Sequence, residues 1–313
     1  MNRSRIAATF SSLVLAAGVL ATATGSASAA ELNRADYTLQ PVSFQTDQRF
    51  TQLLGINDHK VIAGYHGDEN TEMTPNKGFT LRLPNNFTDE NFPNSAQTQV
   101  VGINNDETTV GFYIDTAGQT HGFQKARDKD AVNVDLPGTT FNQLLGINNK
   151  DQAAGYFQDA PGLQHAYVHE KNGDFLVLSL PMPSSQATGI NDSGDIVGFE
   201  QTSPQATTAE GYIIKDGKLT ILKAPGSTFT QALGVNDKDE VVGTFNDANG
   251  VAHGFLWHDG KFEQIDMRGA QATTINGLNK DGRIVGFFMD QAGNTVGLVG
   301  ERGDKQSDRD EHS

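Results

Sequence analysis

The stretch TQALGVNDKDEVVGTF, Thr230 to Phe245, decides the fold. Thr230 to Val235 is an apolar-rich run, Asn236-Asp237-Lys238-Asp239 reads as a turn, and Glu240 to Phe245 is a second run. The pattern continues with a turn at Asp247-Ala248-Asn249-Gly250 and a third run from Ala252 to His258. Asp259-Gly260 then leads into a fourth run, Lys261 to Met267. Runs of about six residues, separated by residues that tolerate tight or left-handed backbone, are the strands of an antiparallel meander. No stretch beyond the N-terminal segment sustains a 3.6-residue period, so helix is expected to be nearly absent.

The unit repeats six times. Gly55-Ile56-Asn57 recurs as Gly102-Ile103-Asn104, Gly146-Ile147-Asn148, Gly189-Ile190-Asn191, Gly234-Val235-Asn236 and Gly277-Leu278-Asn279, at steps of 47, 44, 43, 45 and 43 residues. A second glycine follows nine positions after the first in every copy: Gly64, Gly111, Gly155, Gly198, Gly243 and Gly286. A four-stranded unit of this length, repeated, is a propeller blade. The last copy supplies three strands, ending near Val299-Gly300, and its fourth is expected from Tyr37 to Phe44 at the other end of the chain. The fold class is therefore all-β: a six-bladed β-propeller of four-stranded antiparallel blades, the last closed by the N-terminal strand. That closure leaves no long sheet edge open.

The termini divide the chain further. Residues 1–30 read as a signal peptide: Arg3 and Arg5 precede an apolar run from Ile6 to Leu20, and Ala27-Ser28-Ala29 fits a cleavage site. The run is too short to span a membrane. Residues 31–300 form the propeller, and residues 301–313, rich in acids and poor in apolar groups, are expected to be a disordered tail. The whole chain carries a net charge of −15; removing residues 1–30 takes two arginines and no acid, leaving 21 basic against 38 acidic residues. Such a surface disfavours nucleic acid and anionic membranes. With no cysteine, thiol chemistry and disulfides are excluded, and packing alone must stabilise the fold.

The third run of several copies holds His121-Gly122-Phe123, His165-Ala166-Tyr167 and His253-Gly254-Phe255. Together with the Gly-Ile-Asn turns and the Pro137-Gly138 and Pro225-Gly226 steps, it resembles the HAF repeat of extracellular bacterial proteins. The resemblance covers residues 36–300 and implies export and a repeat-built β fold; most members of that family carry no assigned activity. Copies one, four and six depart from it, with Lys77-Gly78-Phe79, Glu210-Gly211-Tyr212 and Val296-Gly297-Leu298.

The recurrent residues read first as scaffold. The two glycines mark close backbone approach. The six asparagines stand where a side chain can bond to the turn backbone, or they form a ring of amides lining one mouth of the channel. Asp68, Asp115, Asp159, Asp247 and Asp290 follow the second glycine by four residues, and an Asp with Gly three later suits a type I turn. With His121, His165 and His253 six residues further on, these acids are also ligand-binding candidates on one rim. His66, beside Asp68, completes the set.

No catalytic residue is assigned, because no nucleophile elbow, phosphate loop or His-Glu-x-x-His motif occurs. No metal ligand and no cofactor are expected, although Asn191 to Asp195 and Asn236 to Asp239 come near the spacing of a calcium loop. The longer loops of copies one and four, Asp68 to Asn76, Pro84 to Ser95 and Gln201 to Glu210, break the repeat and are the expected places for a unique site. The functional expectation is a secreted, monomeric, non-enzymatic module that binds an extracellular polymer, glycan or protein. The alternative is a secreted glycoside hydrolase or lyase acting through rim carboxylates, and a third reading is a structural interaction module without a small ligand.

Overall fold

In this computed structural model the described residues, 32–47, 49–67 and 75–303, form six sheets of four antiparallel strands and no helix. The closing strand is β1 (Tyr37–Val42). Blade 1 comprises β2 (Thr51–Ile56), β3 (Val61–His66), β4 (Lys77–Arg82) and β5 (Asn86–Asp89). Blade 2 comprises β6 (Gln97–Ile103), β7 (Thr109–Ile114), β8 (Thr120–Lys125) and β9 (Val132–Asn133). Blade 3 follows as β10 (Asn142–Ile147), β11 (Ala153–Gln158), β12 (Gln164–His169) and β13 (Phe175–Val177). Blade 4 is β14 (Ser184–Ile190), β15 (Ile196–Gln201), β16 (Glu210–Lys215) and β17 (Lys218–Leu222). Blade 5 is β18 (Thr230–Val235), β19 (Val241–Asn246), β20 (Ala252–His258) and β21 (Lys261–Ile265). Blade 6 contributes β22 (Ala272–Leu278), β23 (Ile284–Met289) and β24 (Thr295–Arg302), and β1 completes it in the order β1-β24-β23-β22.

The recurrent glycines are explained by lack of room. Each innermost strand carries a β-bulge at its glycine, as between Leu53 and Gly55, which bends the strand round the axis. There the strands of adjacent blades come very close: a Cβ on Gly55 would stand 2.6 Å from the carbonyl oxygen of Val101, and one on Gly146 2.8 Å from that of Thr188. In blades 1 to 5 the second glycine lies opposite a fully buried ring of the third strand, as Gly64 against Phe79 and Gly243 against Phe255, and in blade 6 Gly286 faces Leu298. The bare glycine backbone leaves space for that ring. The core is packed between blades. Leu53, Ile62 and Phe79 of blade 1, for example, meet Val285 and Val299 of blade 6.

The asparagines both cap their turns and form a ring. Asn57 Oδ1 accepts the N–H of Val61 at 2.9 Å, and the same bond recurs from Asn104 to Thr108 and from Asn191 to Asp195. Each Nδ2 donates across to the carbonyl of the next asparagine: Asn57 to Asn104, Asn104 to Asn148, Asn148 to Asn191, Asn191 to Asn236, Asn236 to Asn279, and Asn279 back to Asn57. The six lengths run from 2.9 to 3.4 Å. The residues that follow form a second, outer ring. Asp58, Asn105, Asn149 and Asp192 each donate a backbone N–H to the side chain of the next member, and Lys280 donates to Asp58. The link from Asp237 is missing because Lys280 has no acceptor atom.

Closure occurs as the sequence implies, with one change of boundary. β1 pairs with β24 from Tyr37↔Arg302 to Val42↔Gly297. Glu301 and Arg302, expected in the tail, belong to this strand instead. The Arg302 guanidinium donates to Tyr37 Oη at 3.0 Å and to Glu240 Oε1 at 2.8 Å, which holds the strand end against blade 5. The signal segment 1–30 and residues 304–313 lie outside the described residues.

Two outcomes follow for stability. Deleting residues 31–44 leaves β24 as an open edge and uncovers Leu298 and Val299, so the whole ring loses its cooperative thermal transition; an unchanged Tm contradicts closure. Asn191→Ala leaves the N–H of Asp195 without its acceptor and removes the cross-blade bond to the carbonyl of Asn236, and costs about 1–3 kcal/mol in denaturant unfolding.

Candidate functional site

The antiparallel order places the asparagine turns on one face of the ring. The opposite face carries the loops between second and third strands and the connections between blades. All the rim candidates that the structure describes lie on this second face.

The aspartates do cap their turns. Asp115 Oδ1 accepts the N–H groups of Ala117 and Gln119, each at 2.8 Å, and Asp290 does the same for Ala292 and Asn294. Asp247 serves Asn249 and Val251, and Asp159 serves Leu163. Three of them also meet the histidine of their own blade. The separations are 2.9 Å for Asp159 and His165, 3.5 Å for Asp115 and His121, and 3.7 Å for Asp247 and His253. Asp290 has no such histidine, since Val296 stands in its place. Asp68 lies outside the described residues; His66 stacks on Phe44 with ring centroids 3.7 Å apart and meets Asp47 at 3.4 Å. The candidates are thus distributed blade by blade and do not converge on one centre.

Their electrostatics suit acceptors rather than acids. The N–H of Gln119 holds the Asp115 carboxyl below its ordinary range, and the bond from His165 does the same for Asp159. Burial works against ionisation of Asp247, but the N–H bonds of Val251 and Asn249 outweigh it and lower its pKa. A glycosidase general acid needs a carboxyl held protonated; these are held ionised.

Sequence reading missed the second partner of two histidines. His121 Nδ1 lies 2.6 Å from Asp135, and His253 Nδ1 lies 3.1 Å from Asp266. Both aspartates stand just beyond the fourth strand, and a constant offset of 13–14 residues from the histidine was the available signal. In blade 4 the pair is reversed: Glu210 takes the histidine position, Lys223 the aspartate position, and they form an ion pair at 2.6 Å.

A groove of about 260 Å³ on this face lies between blades 5 and 6, lined by Arg34, Val251 to His253 and Asp266 to Thr273. The N-terminal segment contributes to its wall. Residues 33–35 run along the outer edge of blade 5 before entering blade 6, with Ala35 N–H on Gln264 O at 3.0 Å and Gln264 N–H on Asn33 O at 2.8 Å. Arg34 is thereby brought to the groove. Besides the irregular loops of copies one and four, the chain terminus crossing the ring is a second break in the symmetry, and no repeat alignment reveals it. On the asparagine face the axial mouth is a cavity of only about 70 Å³. Of the stretches near a calcium spacing, Asn191, Asp192, Asn236 and Asp237 take part in the two rings. Among the described residues no three acidic or histidine side chains form a metal-holding set.

Solved structures share the architecture. AofleA from Arthrobotrys oligospora superposes with a TM-score of 0.57 at 11% identity, covering 87% of this chain and 91% of its own. The Aleuria aurantia lectin, described as a six-bladed β-propeller with a novel fucose recognition mode, superposes with a TM-score of 0.51 at 9% identity, covering 83% and 93%. A protein named as a candidate gluconolactonase gives 0.53 at 10%, covering 86% and 94%. At these identities the likeness is one of fold. No protein-family model matches the sequence, and no curated protein is similar to it.

The histidines give a direct check. The hydrogen bond to Asp266 raises the pKa of His253 against the opposing effect of burial, with Asp247 adding to the rise. Burial lowers those of His66 and His169. In an NMR titration His253 therefore deprotonates last of the three. A raised folded pKa also means that protonated His253 stabilises the fold below about pH 6.5 and ceases to do so once pH passes its folded value. His253→Asn consequently lowers Tm more at pH 5 than at pH 9.

Proposed function

We propose that this chain is a secreted member of the HAF-repeat proteins and a non-enzymatic module that binds an extracellular glycan through the face bearing the blade-to-blade loops. The observation that carries this reading is the groove between blades 5 and 6. Three separate segments converge there, and polar groups (Asp266 fixed on His253, with Gln271 and Arg34) stand beside the apolar side chains of Val251 and Met267. Concave sites with few, well-placed polar groups are what small-ligand recognition requires. Lectin-named propellers of similar shape support the reading, as does the engagement of rim carboxylates in turns and histidine pairs. Secretion rests on the N-terminal segment, and the acidic surface suits a soluble, monomeric exported protein.

Equilibrium binding to a glycan array, with and without EDTA, tests the proposal. Binding is expected, unchanged by EDTA, and weakened about ten-fold or more by His253→Ala, which removes a bond to an ionised partner lining the groove. Hydrolysis or elimination of a polysaccharide that disappears in Asp115→Asn or Asp159→Asn would instead assign the protein to the enzyme class.

A further inference from the structure

The arginines are unevenly used. Of those described, Arg82 and Arg127 pair with Glu107, Arg283 with Glu301 and Arg302 with Glu240. Arg34, Arg49 and Arg268 have no carboxylate within 4.0 Å among the described residues, in a chain where acids outnumber bases by 38 to 23. Two of these three line the same groove. Their backbone is anchored on both sides of the groove. Arg34 lies on the segment hydrogen-bonded to Gln264, and Arg268 lies in a tight turn closed by Ala270 N–H on Met267 O at 3.1 Å. Gly269 takes the left-handed conformation of that turn, φ 79°, and its carbonyl is held by Gln291 Nε2 at 2.8 Å. The acids near the groove already have partners: Asp266 binds His253 and Gln264, and Asp247 caps its own turn. The guanidinium groups thus stand beside the groove with their charge unanswered.

We propose that this groove binds a saccharide bearing a carboxylate, a uronate unit, with Arg34 and Arg268 on the carboxylate and Gln271 and the His253–Asp266 pair available to the ring hydroxyls. The inference rests on the glycan-binding reading above and adds the ligand class. A planar guanidinium matches a carboxylate in two parallel hydrogen bonds, which a neutral sugar cannot supply. At about 260 Å³ the groove lies below the usual range for drug-sized ligands, and a single residue of a longer chain suits it better than a large cofactor.

The experiment is calorimetric titration of the full protein with an oligogalacturonate, the same oligomer as its methyl ester, and a sulfated neutral oligosaccharide. The expected result is binding of the free acid, with the ester weaker by about ten-fold or more and the sulfated sugar no tighter than the ester. Arg34→Gln and Arg268→Gln each lower affinity for the acid by a similar factor. Arg49→Gln, away from the groove, leaves it unchanged, and all three exposed-site variants keep the parental Tm. Equal affinity for acid and ester, or acid binding untouched in both groove variants, overturns the uronate inference while leaving a glycan-binding propeller intact. Preference for the sulfated sugar also overturns it. Binding of no saccharide by the parent protein, on the array or in solution, removes both readings together.

Discussion

Six asparagine side chains fix the distance between six blades. Each amide does two jobs in opposite directions: its oxygen closes the turn of its own blade, and its nitrogen reaches the carbonyl of the next. A buried amide left half satisfied is costly, so neither bond is independent of the other. The turn must take the shape that aims the nitrogen outward, and the next blade must stand where its carbonyl can receive it. Because the last link returns to the first asparagine, the blade number is part of the same constraint. The glycines meet the same demand from the other side. Innermost strands that approach within backbone contact can carry no Cβ, and the bulge beside each glycine provides the curvature that brings them there.

Such a ring is symmetric, and symmetry works against a unique site. What recurs from blade to blade serves the scaffold: the aspartates of most blades cap turns, the third-strand rings of five blades cover glycines, and the histidines sit between two carboxylates in blades 2 and 5. The reversal of that pair in blade 4, with Glu210 and Lys223, keeps an ion pair at the position while inverting its polarity. In blades 2, 4 and 5 the position thus pairs opposite charges, with or without histidine. Individuality comes from closure. The chain must return to blade 6 from its beginning, and on the way residues 33–35 lie against blade 5, carrying Arg34 to a groove otherwise made of blade 5 and the blade 5–6 connection.

The repeat, the four strands of each blade and the strand that closes the ring were legible in the sequence because each depends on local chemistry at a fixed spacing. Asn236 is followed by a turn, Gly243 lies where only glycine fits, and Tyr37 to Val42 supplies the strand that the last copy lacks. Arg302 was misplaced in the tail because a polar strand end looks like a polar terminus until Tyr37 and Glu240 are seen beside it. The histidine partners were half legible: the Asp115–His121 and Asp159–His165 pairs follow from neighbouring positions, whereas Asp135 and Asp266 approach only through strand register.

By itself, then, the sequence determined the number of blades, their strand order and the side chains that cap their turns, since these rest on steric and hydrogen-bonding rules acting over a few residues. It did not reveal whether the asparagine amides were free at the mouth or joined in a ring, because that depends on the distance between blades about 45 residues apart. Nor did it place the asymmetric groove. Arg34 and Arg268 are more than two hundred residues apart in the chain, and only the folded ring, by routing one terminus along blade 5, brings their charges to one opening.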